Sequence, residues 1–186
     1  MGTEVRIHEP GPGGIGEVWV RGPTLMSGYL DDPEQTAAVL QDGWLLTGDL
    51  GWLDASGHLH LVGRRKNMIV TAGGKNIYPE DIEGAFSDVP CEELVVFATD
   101  FLWPRERMVD ETLVAVLRPA EDAWRQALLH ANRGLPEHKR VSHVLTWQQE
   151  FPRTASMKVK RLDLAEALRE ACALTDLVPA SPQEVA

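Results

Sequence analysis

Charged side chains that could bind an anionic ligand are concentrated in a few stretches of this chain. Asp49 stands in the motif TGD, and a basic run at residues 64–66 follows a strand-like segment. Lys75 lies in the glycine-rich turn TAGGKN, and Lys158 lies in the basic segment PRTASMKVKR. Lysine and arginine supply only hydrogen-bond donors, whereas a carboxylate supplies only acceptors. The basic stretches therefore predict a local site for a negatively charged group.

Composition limits what such a site can serve. The chain has 186 residues and a formal net charge of -10 at pH 7, which argues against broad nucleic-acid binding. Cys91 and Cys172 lack metal-ligand spacing, so we expect a reducing compartment, no disulfide and no metal site. No segment is typical of a signal peptide or reaches transmembrane length, and we expect a cytoplasmic protein. Three histidines without a carboxylate partner at ligand spacing are expected to be structural or exposed: His58, His60 and His138.

Residues 1–66 are predicted to be rich in β-structure. Residues 17–21 alternate polar and apolar side chains, which is typical of a strand with one buried face. The preceding GPGGIG matches the letters of a dinucleotide-binding fingerprint, but that fingerprint opens a helix, whereas here a strand follows. We therefore predict an ordinary loop.

A short helix and a tight turn are predicted next. Asp32 as the cap and Pro33 as the first helical residue predict the start of the helix. Asp49 is expected on a tight turn between short strands at residues 44–46 and 52–53, because glycine before aspartate is common in turns.

Residues 67–172 are predicted to form an α+β unit in which one short sheet is covered by helices. The predicted strands are residues 68–70, 94–98, 112–117 and 141–147. The predicted helices begin at Pro79, at residue 122 and at Asp163, where Asp163 and Glu166 form a cap-like pair. Residues 173–186 are expected to be a flexible tail.

Five motifs follow one another along the chain in a fixed order. They are TGDLGWLD, LHLVGRRKNMIV, TAGGKNIYPEDIE, LPEHKRV and PRTASMKVKR. Together they resemble the later motifs of the adenylate-forming ligase superfamily, and their wording is most similar to that of fatty acyl-CoA synthetases. The resemblance implies that residues 1–66 are the β-rich end of a large N-terminal domain and that residues 67–172 are the small C-terminal α/β lid.

The resemblance also implies a two-step reaction. Members of the superfamily join a carboxylate to ATP as an acyl-adenylate, with release of pyrophosphate, and then transfer the acyl group to a thiol. Asp49 matches the residue that accepts hydrogen bonds from the ribose hydroxyls, and Arg64 matches the residue that holds the ribose or phosphate of ATP or AMP. Lys66 matches the hinge on which the lid rotates between the two steps.

The remaining matched residues belong to the lid. Lys158 matches the adenylation lysine, whose ammonium stabilises negative charge on the carboxylate and the α-phosphate. Met157 stands where the family usually has glycine. Gly73, Gly74 and Lys75 match the loop on the CoA or phosphate side, where glycine allows close backbone approach.

The earlier motifs of the family are not found in this sequence. The phosphate loop, the Mg²⁺ ligands and the acyl tunnel are expected in a large AMP-binding domain, present in cis or in trans, so we expect this chain alone to be inactive. We interpret the chain as the C-terminal portion of an AMP-forming acyl-CoA synthetase that uses a fatty acid, ATP and CoA or phosphopantetheine. The alternative is a non-catalytic remnant that binds a carrier protein or a full-length ligase. Exposed strand edges in the β-rich piece favour a homodimer.

Overall fold

The computed structural model describes residues 2–71, 74–104, 112–120 and 122–181. It divides the chain into two compact units, Met1–Met68 and Ile69–Ala186. Both helices and sheets are present, so the predicted α+β fold class is confirmed. Within the described residues, no helix is both long and apolar enough to cross a membrane.

The first unit is an antiparallel sheet with one short helix. Its elements are β1 (Glu4–His8), β2 (Gly16–Arg21), α1 (Pro33–Val39), β3 (Leu40–Gln41), β4 (Trp44–Leu53) and β5 (Leu59–Arg64). Strand β4 is central, because β2 pairs with one of its edges while β3 and β5 pair with the other. Val18 and Leu50 are buried in the small core of this unit.

Two sequence predictions in the first unit are confirmed. Asp32 caps α1, because its Oδ1 accepts a hydrogen bond of 2.9 Å from the backbone N–H of Gln35, and Pro33 is the first helical residue. The segment GPGGIG forms a short 3-10 turn, Pro12–Gly14, that leads into strand β2. It is therefore a loop without the strand-to-helix context of a dinucleotide site.

The prediction that Asp49 lies on a tight turn is wrong. Strand β4 continues from Trp44 to Leu53, and its pairing with β2 is irregular around Val18, where residues 47–49 bulge. Gly48 has a φ of +70°, which glycine adopts without strain. A glycine with positive φ serves a turn or a bulge equally well, so the local sequence did not distinguish them.

The turn between β4 and β5 is built on Asp54. Its carboxylate accepts hydrogen bonds from the backbone N–H groups of Ser56 and His58, at 2.8 and 2.9 Å. It also contacts the rings of His58 and His60, at 3.3 and 3.0 Å. The expectation that these two histidines lack a carboxylate partner is therefore wrong. The hydrogen bond with His60 is the largest cause that lowers the pKa of Asp54 to about 2.

The second unit contains a small hairpin, a mixed sheet and several helices. Its elements are β6 (Ile69–Val70), β7 (Asn76–Ile77), α2 (Pro79–Ala85), β8 (Cys91–Ala98), α3 (Thr99–Leu102), β9 (Leu113–Pro119), α4 (Trp124–Gly134), β10 (His143–Thr146), α5 (Arg161–Ala171) and β11 (Val178–Pro179). Strands β6 and β7 form the hairpin, and the sheet has the order β11-β10-β9-β8. Strands β9 and β10 are parallel, and the other neighbours are antiparallel.

Helices cover this sheet, as predicted, and the structure places them on both of its faces. Alternate side chains of a strand point to opposite faces. Val114 and Val116 of β9 pack with Leu164 of α5 on one face. Ala115 and Leu117 pack in the second cluster, which includes residues of α2 and α4. The continuous apolar run of β9 is thus explained by burial on both sides.

The predicted start of the last helix is wrong. Helix α5 begins at Arg161, and Lys160 occupies the capping position without a side-chain cap. Asp163 lies in the first helical turn and forms an ion pair of 3.0 Å with Lys160 instead of a capping pair with Glu166. An acidic residue is favourable anywhere in a first helical turn, so the pattern does not fix the first residue.

Part of the predicted flexible tail at residues 173–186 is paired in the sheet, and residues 182–186 lie outside the described residues. Strand β11 pairs with β10, and the backbone N–H of Ala180 donates to the carbonyl of Ser142 at 2.8 Å. A two-residue strand that ends in proline has no alternating pattern, and for that reason it was missed.

Removal of His60 should raise the pKa of Asp54. In His60→Ala, we expect the pKa to rise from about 2 towards the ordinary value of 3.8, because the largest stabilising hydrogen bond to the carboxylate is lost. An NMR titration of the Asp54 carboxyl carbon measures this change. His58→Ala is the control and should raise the pKa less, because the backbone N–H of residue 58 remains.

The lowered pKa of Asp54 also sets the pH range in which its contacts stabilise the turn. A lowered pKa in the folded state means that the Asp54 contacts are fully present above pH 3.8 and are lost as the pH falls through about 2. An unchanged pKa in His60→Ala would contradict this account of the turn.

Candidate active site

Asp49 and Arg64 are brought together by the pairing of β4 with β5. They are opposite each other in the register, and Arg64 Nε lies 2.9 Å from Asp49 Oδ1. Arg64 Nη1 also donates to the carbonyl of Thr47 at 3.0 Å. The side chain of Asp49 is 33% exposed, and that of Arg64 is 41% exposed. This pair therefore presents acceptor and donor atoms side by side at a surface.

The bulge in β4 determines where the Asp49 carboxylate points. The backbone N–H of Asp49 donates to Thr47 Oγ1 at 3.0 Å, and the Thr47 hydroxyl donates to the carbonyl of Val18 at 2.8 Å. Thr47 thus fastens the bulge to the neighbouring strand β2. Sequence reasoning missed this role of Thr47, although threonine directly before the Gly-Asp pair is a signal for it.

Lys66 lies on an exposed 3-10 turn, Arg65–Asn67, that follows β5. The backbone N–H of Met68 closes this turn on the carbonyls of Arg64 and Arg65, at 3.2 and 3.3 Å. The boundary between the two units falls directly after Met68. Arg65 forms an ion pair of 2.9 Å with the buried Glu17. The backbone before the boundary is therefore fixed to the first unit.

The glycine-rich turn connects β6 and β7. Gly73 lies outside the described residues. Gly74 has a φ of +72°, and its N–H donates to the carbonyl of Thr71 at 2.8 Å. The backbone N–H of Lys75 donates to Thr71 Oγ1 at 3.0 Å, and Lys75 is exposed. Gly74 and Lys75 are thus held in a closed turn by one threonine.

A groove of about 330 Å³ in the second unit lies beside this turn. Lys75 and Thr71 line it from the hairpin, and His138 and Arg140 line it from the segment after α4. Its size is within the range of small-molecule sites. The guanidinium of Arg140 donates to backbone carbonyls at the end of α4, including that of Leu135 at 2.9 Å. Sequence reasoning treated LPEHKRV only as a motif and missed its place in this groove.

Residues 151–160 form a tight hairpin before α5, and Lys158 lies near its tip. The backbone of Thr154 donates to the carbonyl of Lys158 at 2.9 Å, and Thr154 Oγ1 accepts from the N–H of Lys158 at 3.2 Å. The N–H of Lys160 donates to the carbonyl of Pro152 at 2.7 Å. Lys158 is exposed, and its ammonium has no ion pair within the part of the chain that the structure describes. The hairpin therefore holds the backbone and leaves the charge free to meet a ligand.

The tip of this hairpin contains a strained residue. Met157 has a φ of +64°, in the left-handed region that costs an L-residue about 1–2 kcal/mol. The residue is 67% exposed, so packing does not offset this cost. The carbonyl of Met157 accepts a hydrogen bond of 2.6 Å from Arg153 Nη1. The hydrogen bond from Arg153 thus stabilises the strained conformation of Met157.

A second ion pair fixes the start of α5 behind the hairpin. Arg161 contacts Glu83 of α2 at 2.5 Å and donates to the carbonyl of Val96 in β8 at 2.9 Å. The N–H of Val96 donates to the same Glu83 carboxylate at 2.7 Å. Burial raises the pKa of Glu83, and the charge of Arg161 opposes this rise. Sequence reasoning missed the role of Arg161.

Known proteins with similar sequence and fold carry out ligase reactions. No protein-family model matches the chain. The chain is 38% identical over 163 residues to the indoleacetate–CoA ligase of Aromatoleum aromaticum, which covers 86% of this chain and 31% of that protein. It is 36% identical over 152 residues to the long-chain-fatty-acid–CoA ligase of Bacillus subtilis, which covers 81% of this chain and 26% of that protein.

A solved structure agrees with these relatives. The o-succinylbenzoate CoA synthetase of Bacillus subtilis, solved with its acyl-adenylate intermediate, has a TM-score of 0.73 and 28% identity over 89% of this chain and 33% of that chain. This chain belongs to the adenylate-forming ligases. It spans between 26% and 33% of the length of these three ligases and matches their C-terminal part. The resemblance that the ordered motifs indicated is therefore confirmed.

Replacement of Met157 by glycine should stabilise this chain. We expect Met157→Gly to raise the free energy of unfolding by about 0.5–1 kcal/mol, because relief of the left-handed strain exceeds the entropy cost of glycine. Urea unfolding followed by tryptophan fluorescence measures the change. Met157→Ala is the matched control and should give no gain, because alanine has the same left-handed cost. Equal stabilities of the glycine and alanine variants would show that this position is not strained.

Proposed function

We propose that this chain supplies part of the nucleotide site, the hinge and the adenylation lysine of an AMP-forming acid–thiol ligase. The reaction joins a carboxylic acid to ATP as an acyl-adenylate and then transfers the acyl group to CoA or to a phosphopantetheine thiol. The observation that carries the proposal is the exposed ammonium of Lys158 on a tightly hydrogen-bonded hairpin, in a chain that belongs to the adenylate-forming ligases.

Asp49 and Arg64 act on the nucleotide. The Asp49 carboxylate accepts hydrogen bonds from the two ribose hydroxyls, because it offers only acceptors to two adjacent donors. Arg64 donates to the ribose or phosphate, and its fork of donors has a fixed direction. Their partial exposure and their ion pair of 2.9 Å support this assignment. The ion pair orients both side chains before the nucleotide binds.

Lys158 stabilises the transition state of the first half-reaction. Negative charge builds up on the α-phosphate as the carboxylate attacks it, and an ammonium placed there stabilises the transition state. Lysine suits the role because it is a compact charge on a long flexible stem. A stem of this kind withdraws easily once the acyl-adenylate has formed.

Lys66 is proposed as the hinge between the half-reactions. Hinge residues lie at the ends of elements and absorb changes in φ and ψ. The exposed 3-10 turn that contains Lys66 ends one residue before the boundary between the units, which supports this position. Arg65 anchors the first-unit side of the hinge through Glu17.

Gly73, Gly74 and Lys75 are proposed to serve the thiol or phosphate side of the second half-reaction. The positive φ of Gly74 and the exposed Lys75 beside a groove of about 330 Å³ support a role in binding a phosphate-bearing arm. The acceptor is CoA or a carrier-bound phosphopantetheine.

The proposed reaction needs a large AMP-binding domain, in cis or in trans. That domain would supply the phosphate loop, the Mg²⁺ ligands and the acyl tunnel, so this chain alone should not turn over ATP. Leu53, Leu59 and Leu61 expose apolar surface at the pairing of β4 with β5, which supports a partner surface there. A fatty acid is the proposed substrate, with the named acids of the relatives as the next candidates.

A second candidate function is a non-catalytic interaction module. The exposed apolar side chains of the first unit favour it, because they would bind a carrier protein, a full-length ligase or a second copy of this chain. Loss of catalytic need would also explain why the strained Met157 replaces glycine. The two candidates differ in whether Lys158 is needed for pyrophosphate release.

A fused ligase tests the proposal. This chain replaces the matching C-terminal part of the o-succinylbenzoate CoA synthetase, and acid-dependent pyrophosphate release is measured. We expect Lys158→Ala to lower kcat for this step about 100-fold, because the transition-state charge loses its partner. Lys160→Ala is the matched control and should remain within about 2-fold, because Lys160 is engaged with Asp163 outside the tip.

The synthetase with its own C-terminal part restored at the same junction is the positive control. A fused ligase with a folded lid that releases no pyrophosphate, or one in which Lys158→Ala has no effect, would contradict the proposed function. Either result would favour the interaction module.

A further inference from the structure

A buried carboxylate lies beneath the hairpin that carries Lys158. The side chain of Glu93, on β8, is only 6% exposed. An ionised carboxylate at this depth is unfavourable unless it is paired and hydrogen-bonded. Its partners therefore indicate what the residue is for.

Donors from the hairpin converge on this carboxylate. Glu93 Oε1 accepts a hydrogen bond of 3.1 Å from Arg153 Nε and a second hydrogen bond from Arg153 Nη2. Glu93 Oε2 accepts from the backbone N–H of Phe151 at 2.9 Å and lies 3.2 Å from Arg118 Nε. The contacts with the hairpin join residues that are 58 and 60 positions apart in the sequence.

The guanidinium of Arg153 binds the tip of the hairpin as well as Glu93. Its third nitrogen, Nη1, donates to the carbonyl of Met157 at 2.6 Å. Arg153 also forms an isolated bridge with Val159 on the other side of Lys158. One rigid fork thus connects the buried carboxylate with the strained residue directly before Lys158.

A bulge in β8 aims Glu93 at the hairpin. The pairing of β8 with β9 shifts register between Cys91 and Glu93, so that Glu92 is an extra residue. Bulges change the direction of a side chain, and they are common next to functional sites. Glu92 and Glu93 both contact Arg118, and only Glu93 is buried. The strand therefore departs from regular pairing where Glu93 meets the hairpin.

We propose that Glu93, acting through Arg153, is a positioning residue that holds the hairpin in the conformation that presents Lys158. This inference rests on the proposed role of Lys158 in adenylation. Net stability does not explain the pair well, because the desolvation of a buried ion pair offsets most of its attraction. A fixed fork of donors does define the direction of the hairpin backbone, and misplacement by about 1 Å can lower a rate about 100-fold.

The restraint itself is tested on this chain alone. In Glu93→Gln, amide hydrogen exchange at Met157, Lys158 and Lys160 should become about 10-fold faster or more, because a hydrogen bond to a charged group is lost. The amides of β9 should remain protected. Asn132→Ser is the matched control, because Asn132 is a buried polar residue of the same unit that bonds Val141 and is not part of the hairpin. It should not loosen the hairpin selectively.

The conservative variant Arg153→Lys separates charge from geometry. Lysine keeps the positive charge but has one nitrogen, which cannot join Glu93 and Met157 as the guanidinium does. We expect exchange at the Met157 amide to rise in this variant while the rest of the unit stays protected. Uniform loss of protection across the unit, or no change at the hairpin, would overturn the proposed restraint.

The catalytic consequence is tested in the fused ligase by the two half-reactions. Glu93→Gln should lower kcat for pyrophosphate release about 100-fold, and thiol transfer from a supplied acyl-adenylate should change less than about 2-fold. The double variant Glu93→Gln/Lys158→Ala should be no slower than Lys158→Ala, because the first residue acts only through the second.

The outcomes separate this inference from the proposed function. If Lys158→Ala slows adenylation and the added Glu93→Gln substitution slows it further, Glu93 is only structural and the inference fails. The inference also fails if Glu93→Gln slows both half-reactions equally. If Lys158→Ala has no effect, the proposed function fails, and hydrogen exchange still decides whether Glu93 restrains the hairpin.

Discussion

The conformation of the hairpin in the second unit depends on a buried carboxylate that must be paired. Glu93 is an acceptor with almost no access to water, and leaving such a group without partners costs several kcal/mol. Its donors come from Arg153 and Phe151, so the hairpin before α5 is fastened to the sheet. Arg153 extends the restraint to Met157, and Lys158 follows as an exposed charge on a fixed backbone.

Both units use a β-bulge to aim a carboxylate. In β4 the bulge turns Asp49 towards Arg64 at a partly exposed position, where the pair can meet a ligand. In β8 the bulge turns Glu93 into the interior, where the pair with Arg153 restrains a backbone. We propose that the same local irregularity serves binding in one unit and positioning in the other, and that burial decides which.

The sequence predicted features that depend on near neighbours. The alternation in β2 and the cap at Asp32 are local, and the order of the motifs identified the superfamily. Features that depend on distant partners were missed. The Gly-Asp pair at Asp49 fits a turn as well as a bulge, and the register of β2 decides between them. The pair of Glu93 with Arg153 joins residues 60 positions apart, so no local pattern contains it.

The pairing of Glu93 with Arg153 is measured most directly on the Arg153 Nε–H group. Its side-chain resonance can be followed by NMR in this chain at neutral pH. The account predicts that exchange of this hydrogen with solvent is at least about 10-fold slower than in a free arginine, because the group donates to a buried carboxylate. Exchange at the rate of a free arginine would mean that the hairpin is not fastened to Glu93.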